Sequence, residues 1–208
     1  MTLREPSTYY KNMLVDMHIH TQFSPCSVIN IPQLIKKAKE KRIDGICITD
    51  HDTTDSIAML KNLKISDICI IVGIEYTTSK GDFLIFGPID HIPLGMSLED
   101  LLLFIKKEGG VVIPAHPFRR SRPADISILS SFSIIETING RNLPSENKHC
   151  KEWISKNGKY FKEIGGSDAH TLNEIGSVVT VFEKNIYCID DLIRELLEGK
   201  YSPAKLKL

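Results

Sequence analysis

Short apolar runs recur along the chain, and several of them end in residues that can bind a metal ion. The clearest is Leu14–Ser24, in which an apolar run carries Asp16, His18 and His20. Residues two apart in an extended strand point to the same side, so the two imidazoles can reach one point in space. Asp16 lies on the same side and is expected to hold a ring N–H from behind. This stretch therefore predicts a metal site at the end of a strand.

The same unit, a short apolar strand followed by a loop and a helix, recurs about seven times, which is the pattern of parallel strands joined by crossover helices. Strands without polar alternation fit burial on both faces. An open sheet collects its ligands mostly at one switch point, whereas a barrel collects them from the ends of many strands. Because polar residues follow several separate strands, we expect an α/β barrel of parallel strands.

The apolar runs and their boundaries give a specific element order. Predicted strands cover residues 14–19, 45–49, 68–75, 82–87, 111–115, 134–137, 160–165 and 178–182. Predicted helices cover 31–41, 55–63, 144–157 and 189–197, with a further helix that begins at Ser97 and ends at Gly109. Asn30 and Ser97 are expected to cap their helices. Residues 1–12 read as a polar arm.

Metal-capable side chains follow the predicted strands from one end of the chain to the other. They are His18, His20, His51, Glu75, His116, Asp168 and His170. These seven residues are more than the four ligands of one tetrahedral ion. They suit two or three ions, bridged by a carboxylate such as Glu75. Each residue also has an ordinary explanation, for example a helix cap at His51 or a turn at Asp168. Their shared position at strand ends favours the metal interpretation, whereas His91 and His149 are expected at the surface.

Composition narrows the class of protein further. The 208 residues suit one domain with one sizeable core. A net charge of zero provides no global basic field for nucleic acid. No apolar run approaches the roughly 20 residues of a membrane span, and no signal peptide is visible. The five cysteines show no CxxC spacing, so we expect a reducing compartment and a cytoplasmic location.

Six motifs, taken in order, resemble those of the PHP (polymerase and histidinol phosphatase) family. They are DMHIHT (16–21), ITDHD (48–52), GIEYTT (73–78), PAHPFR (114–119), IETING (135–140) and GGSDAH (165–170). The resemblance extends over about residues 13–203. It implies a distorted (β/α)7 barrel, similar to a TIM barrel, with a polynuclear centre of two or three zinc, manganese or iron ions at the C-terminal ends of the strands. It also implies phosphoester hydrolysis.

The resemblance assigns the ligands to three ions. They are His18, His20 and Asp168 for the first, a bridging Glu75 with His116 for the second, and His51 with His170 for the third. Two positions depart from the family pattern. Asp82 stands where relatives often have a histidine, so its oxygen either retains the second ion with an altered metal preference or binds it more weakly. Cys26 stands where relatives place an aspartate or histidine, and it is either a soft ligand to the third ion or an ordinary loop cysteine.

The expected activity is hydrolysis of a phosphoester by a metal-activated water. Arg119 is the expected phosphate clamp, because guanidinium groups match phosphate oxygens, and Arg120 and Arg122 are either further phosphate contacts or a solvated basic loop. Asp52 and His170 are candidates for the general acid. The expected substrate is a small phosphorylated molecule, such as a phosphomonoester, a nucleotide or a short oligonucleotide. The alternatives are a non-catalytic module that binds metal or a partner, and a hydrolase of a non-phosphate ester or amide.

Overall fold

The computed structural model describes residues 12–88, 91–158 and 160–206. The strands are β1 (Met13–Ile19), β2 (Gly45–Ile48), β3 (Cys69–Val72), β4 (Ile74–Thr78), β5 (Gly81–Phe86), β6 (Val111–Pro114), β7 (Ile134–Asn139), β8 (Lys162–Gly166), β9 (Val178–Phe182) and β10 (Tyr201–Lys205). The helices are α1 (Ile31–Glu40), α2 (Ser56–Leu60), α3 (Leu98–Lys107), α4 (Pro144–Asn157), α5 (Ile189–Glu198) and a 3-10 helix (Ile126–Ser131). Apart from Asn12, the predicted polar arm lies outside the described residues.

Within the described residues, the strands pair in three sheets. The first has the order β10-β9-β1-β2-β3, with parallel pairing from β1 to β3 and antiparallel pairing of β9 with β1 and β10. The second, β4-β5-β6, is antiparallel, and the third pairs β7 with β8 in parallel. The predicted α/β class with a parallel-strand sheet is confirmed.

The prediction of a closed (β/α)7 barrel of parallel strands is corrected. In the described part of the chain, strand hydrogen bonds divide among separate sheets and form no continuous ring. For one of the antiparallel pairs, β4 with β5, the connection is too short for a crossover. Only residues 79–80 separate β4 from β5, and a connection of two residues joins antiparallel strands, not parallel ones. Isolated parallel bridges, Ile19 with Ala169 and His51 with Glu75, still join strand ends of different sheets.

Most predicted elements form close to their expected bounds, but residues 68–75 do not form one strand. They divide at Gly73 into β3 and β4. A Cβ at Gly73 would lie 2.5 Å from the Ile85 carbonyl oxygen, so the approach of β5 requires glycine. Sequence reasoning also misses β10, because Pro203 lies in its middle. The strand lies at the edge of its sheet, where the missing N–H of proline is tolerated.

Helix starts and apolar helix faces follow the sequence closely. Asn30 Oδ1 accepts a hydrogen bond from Gln33 N at 2.9 Å, and Ser97 Oγ accepts one from Asp100 N at 3.1 Å. Both caps satisfy helix N–H groups that lack a partner within the helix. The buried side of α1 packs against β1 and β2. Among the described residues, no helix is both long enough and apolar enough to cross a bilayer.

One apolar cluster joins strands of all three sheets. Its buried members include Met17, Cys47, Leu84, Ile113, Ile134 and Ile164. Burial of such side chains contributes roughly 1.5–3 kcal/mol each relative to full exposure. Because the cluster fills the space between the sheets, it fixes the strands relative to one another and brings several strand ends together.

Candidate metal centre

The predicted metal ligands converge at the ends of the strands. His18 belongs to β1 and Glu75 to β4, and the others stand just after strands. Their ligand atoms fall into groups whose members all lie within 4.8 Å of one another. The groups are His18–His20–Glu75, His18–His116–Asp168, Glu75–Asp82–His116 and His20–Cys26–His51–His170. Every predicted ligand, including the two departures Asp82 and Cys26, belongs to at least one group.

The two groups that contain His18 are together called the central group; at its middle are two imidazoles and two carboxylates. His18 Nε2 lies 3.1 Å from His20 Nε2. Glu75 Oε2 lies 3.2 and 3.0 Å from these two nitrogens, and Asp168 Oδ1 lies 3.6 and 3.2 Å from them. Ligands of a tetrahedral ion with bonds of about 2.0–2.1 Å are separated by about 3.3 Å. These five distances therefore fit ligands that share a divalent ion.

The second group extends from the other oxygen of Glu75. Glu75 Oε1 lies 2.7 Å from His116 Nε2, while its Oε2 faces the central group, so this carboxylate can bridge the two. Asp82 Oδ2 and His116 Nδ1 are buried and have no hydrogen-bond partner among the described residues. Unpaired buried polar atoms cost free energy, and a cation bound to Asp82 would remove part of that cost.

The third group lies at the more exposed edge of the centre. His170 Nε2 is 3.1 Å from Cys26 Sγ. The His20 ring centroid lies 4.5 Å from that of His51 and 4.4 Å from that of His170. His51 Nδ1 lies 3.2 Å from Glu75 Oε2 but makes no hydrogen bond in the described structure. The side chains of this group thus fit a cation as well.

Burial and mutual charge shift the pKa values of the ligands in opposite directions. Burial acts to lower the pKa of His18, but the surrounding carboxylates, Asp168 first, raise it well above its usual value. Burial acts to raise the pKa of Asp168 and Glu75, but the histidines, His18 first, hold both well below the usual range. Burial lowers the pKa of His51 to about 4, outweighing the nearby Glu75. Ionised carboxylates and a neutral imidazole are the forms that bind metal ions.

Glu136 supports two of the ligands, a role that sequence reasoning misses. Its Oε1 lies 3.1 Å from His18 Nδ1. Its Oε2 accepts hydrogen bonds from His116 N at 2.7 Å and from Asn139 Nδ2 at 3.1 Å. A carboxylate behind a ligating imidazole fixes the ring and its tautomer. The sequence indicates Glu136 only through its place in the IETING motif, which does not show which residues it contacts.

Asp16 does not hold a histidine ring, so that prediction is wrong. Its Oδ1 accepts a hydrogen bond from Ser167 N and its Oδ2 one from Gly176 N, both at 2.8 Å. Buried backbone N–H groups need acceptors, and these contacts tie β1 to the segments after β8. Glu136 takes the expected place behind His18 instead. Burial raises the pKa of Asp16 to about 6.

His20 is supported by a second relay. Its Nδ1 lies 3.1 Å from Ser24 Oγ, which donates a hydrogen bond to Asp50 Oδ1 at 2.6 Å. Asp50 also accepts hydrogen bonds from the backbone N–H and the hydroxyl of Thr21, both at 2.6 Å. The relay holds the His20 ring, so that its Nε2 faces Glu75.

The backbone is strained where it presents these groups. Asp52, His116 and Asp168 have φ values of +55°, +30° and +54°. Left-handed conformations of residues other than glycine are uncommon and cluster at functional sites. Each of the three residues stands just beyond a strand, so the strain turns the chain at the edge where the ligands meet.

Two of the predicted phosphate-binding arginines pair with ligand carboxylates. Arg119 Nη2 donates to Asp168 Oδ2 at 2.6 Å, and its Nε donates to Asn142 Oδ1 at 2.9 Å. Arg122 Nη2 donates to Asp82 Oδ1 at 2.8 Å. Both guanidinium groups therefore lie directly beside the centre.

The remaining predicted residues lie further from the ligand groups or at their rim. Arg120 is exposed, and its backbone N donates to Glu146. Asp52 Oδ1 accepts a hydrogen bond from Thr77 N at 2.9 Å. His170 Nδ1 lies 2.8 Å from the carbonyl oxygen of Asp168, which leaves its Nε2 facing Cys26.

The fold and the site together define the class of protein: an α/β protein with a candidate metal centre of imidazoles and carboxylates at its strand ends. The family model described as PHP-associated matches residues 144–201. The uncharacterized protein MJ0417 of Methanocaldococcus jannaschii is 30% identical over 193 residues, which are 86% of this chain and 75% of that protein. MJ1587 of the same organism is 33% identical over 117 residues, 51% of this chain and 68% of the relative.

Solved structures show the same fold at lower identity. PsfC from Pseudomonas syringae superposes with a TM-score of 0.75 at 19% identity, covering 94% of this chain and 92% of that one. The endonuclease PfuEndoQ from Pyrococcus furiosus gives 0.70 at 14%, with 95% and 60% covered. A Bacteroides vulgatus protein, described as containing a predicted PHP-like metal-dependent phosphoesterase, gives 0.69 at 20%, with 95% and 66% covered. The chain belongs to the PHP family.

Proposed function

We propose that the protein is a metal-dependent hydrolase that cleaves a phosphoester. The observation that carries the proposal is the convergence of His18 Nε2 and His20 Nε2 with carboxylate oxygens of Glu75 and Asp168, at 3.0–3.6 Å. Carboxylates and imidazoles that converge in this way are costly to bury without a cation. The Bacteroides vulgatus protein, described as a two-domain protein containing a predicted PHP-like metal-dependent phosphoesterase, supports the same reaction class by analogy of fold.

The ligand groups would hold two or three divalent ions, of zinc, manganese or iron. Such ions supply a water of lowered pKa as nucleophile and balance the charge of phosphate oxygens. Glu75 directs one oxygen to each of the first two groups and so keeps them at a fixed separation. Glu136 orients the His18 ring and the backbone of His116. These contacts preorganise the site before a substrate arrives.

Arg119 and Arg122 are the proposed contacts to the substrate phosphate. Each pairs with a ligand carboxylate, and a guanidinium carries five N–H donors, so donors remain for phosphate oxygens. The Arg122 side chain is 43% exposed. Arg120 lines an outer groove with Lys148, where it would meet a more distant part of the substrate. Asp52 is the candidate general acid, because it stands beyond β2 beside the ligand groups, and His170 is the alternative if it does not hold an ion.

The proposed substrate is a small phosphorylated molecule, such as a phosphomonoester, a nucleotide or a short oligonucleotide. One structural neighbour is Endonuclease Q in complex with a 27-mer duplex that carries an abasic lesion. That protein's substrate is a nucleic acid phosphodiester, which supports a phosphoester here. The chain itself has no net charge, which favours a small substrate over a long duplex.

The test is phosphate release from a panel of phosphomonoesters, nucleotides and short oligonucleotides, with added Mn²⁺ or Zn²⁺. The variant His18→Ala should lower kcat/KM by more than about 100-fold, since residues behind metal ligands alone contribute about 10–100-fold. Lys39→Ala, which alters an exposed side chain in the last turn of α1, is the control and should retain activity. Equal activity of His18→Ala and the wild type would refute the assignment. Metal binding without turnover would favour the non-catalytic module.

We also propose that the chain acts as a single domain in a reducing compartment such as the cytoplasm. The apolar cluster shared by all three sheets supports one folding unit. All five cysteines are free thiols, which is typical of a reducing environment.

A further inference from the structure

The third ligand group differs from the other two in containing sulfur. Cys26 lies in the loop between β1 and α1, and its Sγ is 3.1 Å from His170 Nε2. The ligand atoms of Cys26, His20, His51 and His170 lie within 4.8 Å of one another. The other groups are built from nitrogen and oxygen ligands alone.

The Cys26 loop is anchored to the site on both sides of the cysteine. Ser24 Oγ accepts a hydrogen bond from His51 N at 3.0 Å. Ser27 Oγ donates to the carbonyl oxygen of His20 at 2.9 Å, and Val28 N donates to the carbonyl oxygen of His170 at 3.3 Å. These contacts join the loop to three strand ends that carry histidine ligands. The thiol is therefore placed by the fold and is not a chance neighbour of the histidines.

Both ring nitrogens of His20 already have partners outside the third group, so the ligands of this group are expected among its other three members. Its Nδ1 is engaged with Ser24 Oγ, and its Nε2 faces Glu75 and Asp168 in the central group. Cys26, His51 and His170 remain, and no carboxylate belongs to this group. One thiolate with two imidazoles is a soft ligand set that suits Zn²⁺ better than Mn²⁺ or Mg²⁺.

We propose that Cys26, His51 and His170 form a thiolate-containing zinc site, distinct in metal preference from the nitrogen and oxygen groups beside it. This inference deepens the metal centre of the proposed function and does not depend on the substrate. The centre would then hold a mixed set of ions, with zinc at the exposed edge and a harder ion accepted at the Glu75–Asp82–His116 group. Three protein ligands leave a fourth position open.

The first test is the absorption spectrum of the full chain loaded with Co²⁺ as a zinc substitute. A thiolate-to-cobalt charge-transfer band in the near ultraviolet is expected in the wild type. It should disappear in Cys26→Ser and persist in Cys188→Ser, which alters the other exposed cysteine. Cys26→Asp should still bind cobalt but without the band. Absence of the band in the wild type, or its survival in Cys26→Ser, would overturn the proposal.

A second measurement uses only the wild-type protein and so does not depend on how variants fold. Zinc should protect Cys26 from alkylation, detected by mass spectrometry of the labelled peptides, while Cys188 remains reactive. Mn²⁺ at the same concentration should give much weaker protection. Equal alkylation of Cys26 with and without zinc contradicts the site. Neither readout uses phosphate release, so failure here and failure of the hydrolase proposal are separable.

Discussion

At the scale of single residues, Glu136 shows how one carboxylate can position a whole centre. It is 1% exposed and contacts the His18 ring, the His116 backbone and the Asn139 amide. The nearest of these three partners along the chain is Asn139, three residues away. It holds ligands from two different sheets, β1 in the first and the end of β6 in the second.

Glu136→Gln should therefore weaken metal binding without removing a ligand. The amide keeps the shape, but it cannot accept two hydrogen bonds from N–H groups with the strength of a carboxylate. We expect a loss of about 10–100-fold in metal affinity, measured by titration with a competing chelator. Glu163→Gln, on the adjacent strand β8 and bonded to Thr137, is the control and should bind as the wild type does. Similar losses in both variants would mean that Glu136 acts through general stability.

At the scale of elements, the sequence predicts what local pattern determines. The His18 and His20 spacing, the caps at Asn30 and Ser97 and most strand positions follow from periodicity and residue chemistry. The side-chain contacts between different strands cannot be predicted in this way, because they depend on the register of strand pairing. Asp16 satisfies backbone N–H groups rather than a ring, and nothing near Glu136 in sequence indicates that it faces His18. The short β4–β5 connection was the available sign of antiparallel pairing, and β10 was hidden by Pro203.

β1 and β8 approach each other closely at the site. A Cβ at Gly166 would collide with His18 Cβ and would lie 2.6 Å from His18 N. Both atoms belong to a buried strand, so little can move. Gly166→Ala should lower the free energy of unfolding by at least about 2 kcal/mol, measured by urea denaturation.

Gly45→Ala is the matched control for this prediction. Gly45 also lies in a strand, but the nearest atom to its Cβ would be the flexible end of Met13, at 3.1 Å. Its cost should stay below about 1 kcal/mol. If both variants lost the same stability, the β1–β8 contact would not be the cause.

At the scale of the whole molecule, the centre concentrates negative charge among buried groups. Glu75, Asp82, Glu136 and Asp168 are each at most 3% exposed. Arg119 and Arg122 pair with two of them, whereas Glu75 and Glu136 lie against imidazoles. Divalent cations would supply the missing positive charge, and they would bind the folded chain because only folding assembles ligands from such distant positions.

Metal should therefore stabilise the whole fold, and its removal should destabilise it. At an ion concentration 100 times the Kd, one site contributes about 2.7 kcal/mol, which for a chain of this size corresponds to a rise in Tm of about 5–10 °C. Thermal denaturation with and without Mn²⁺ or Zn²⁺, followed by EDTA reversal, measures the effect. His18→Ala should show less than half the shift, because it removes a ligand common to two groups. If the rise in Tm were the same in this variant as in the wild type, the stabilising ion would bind outside the groups that contain His18.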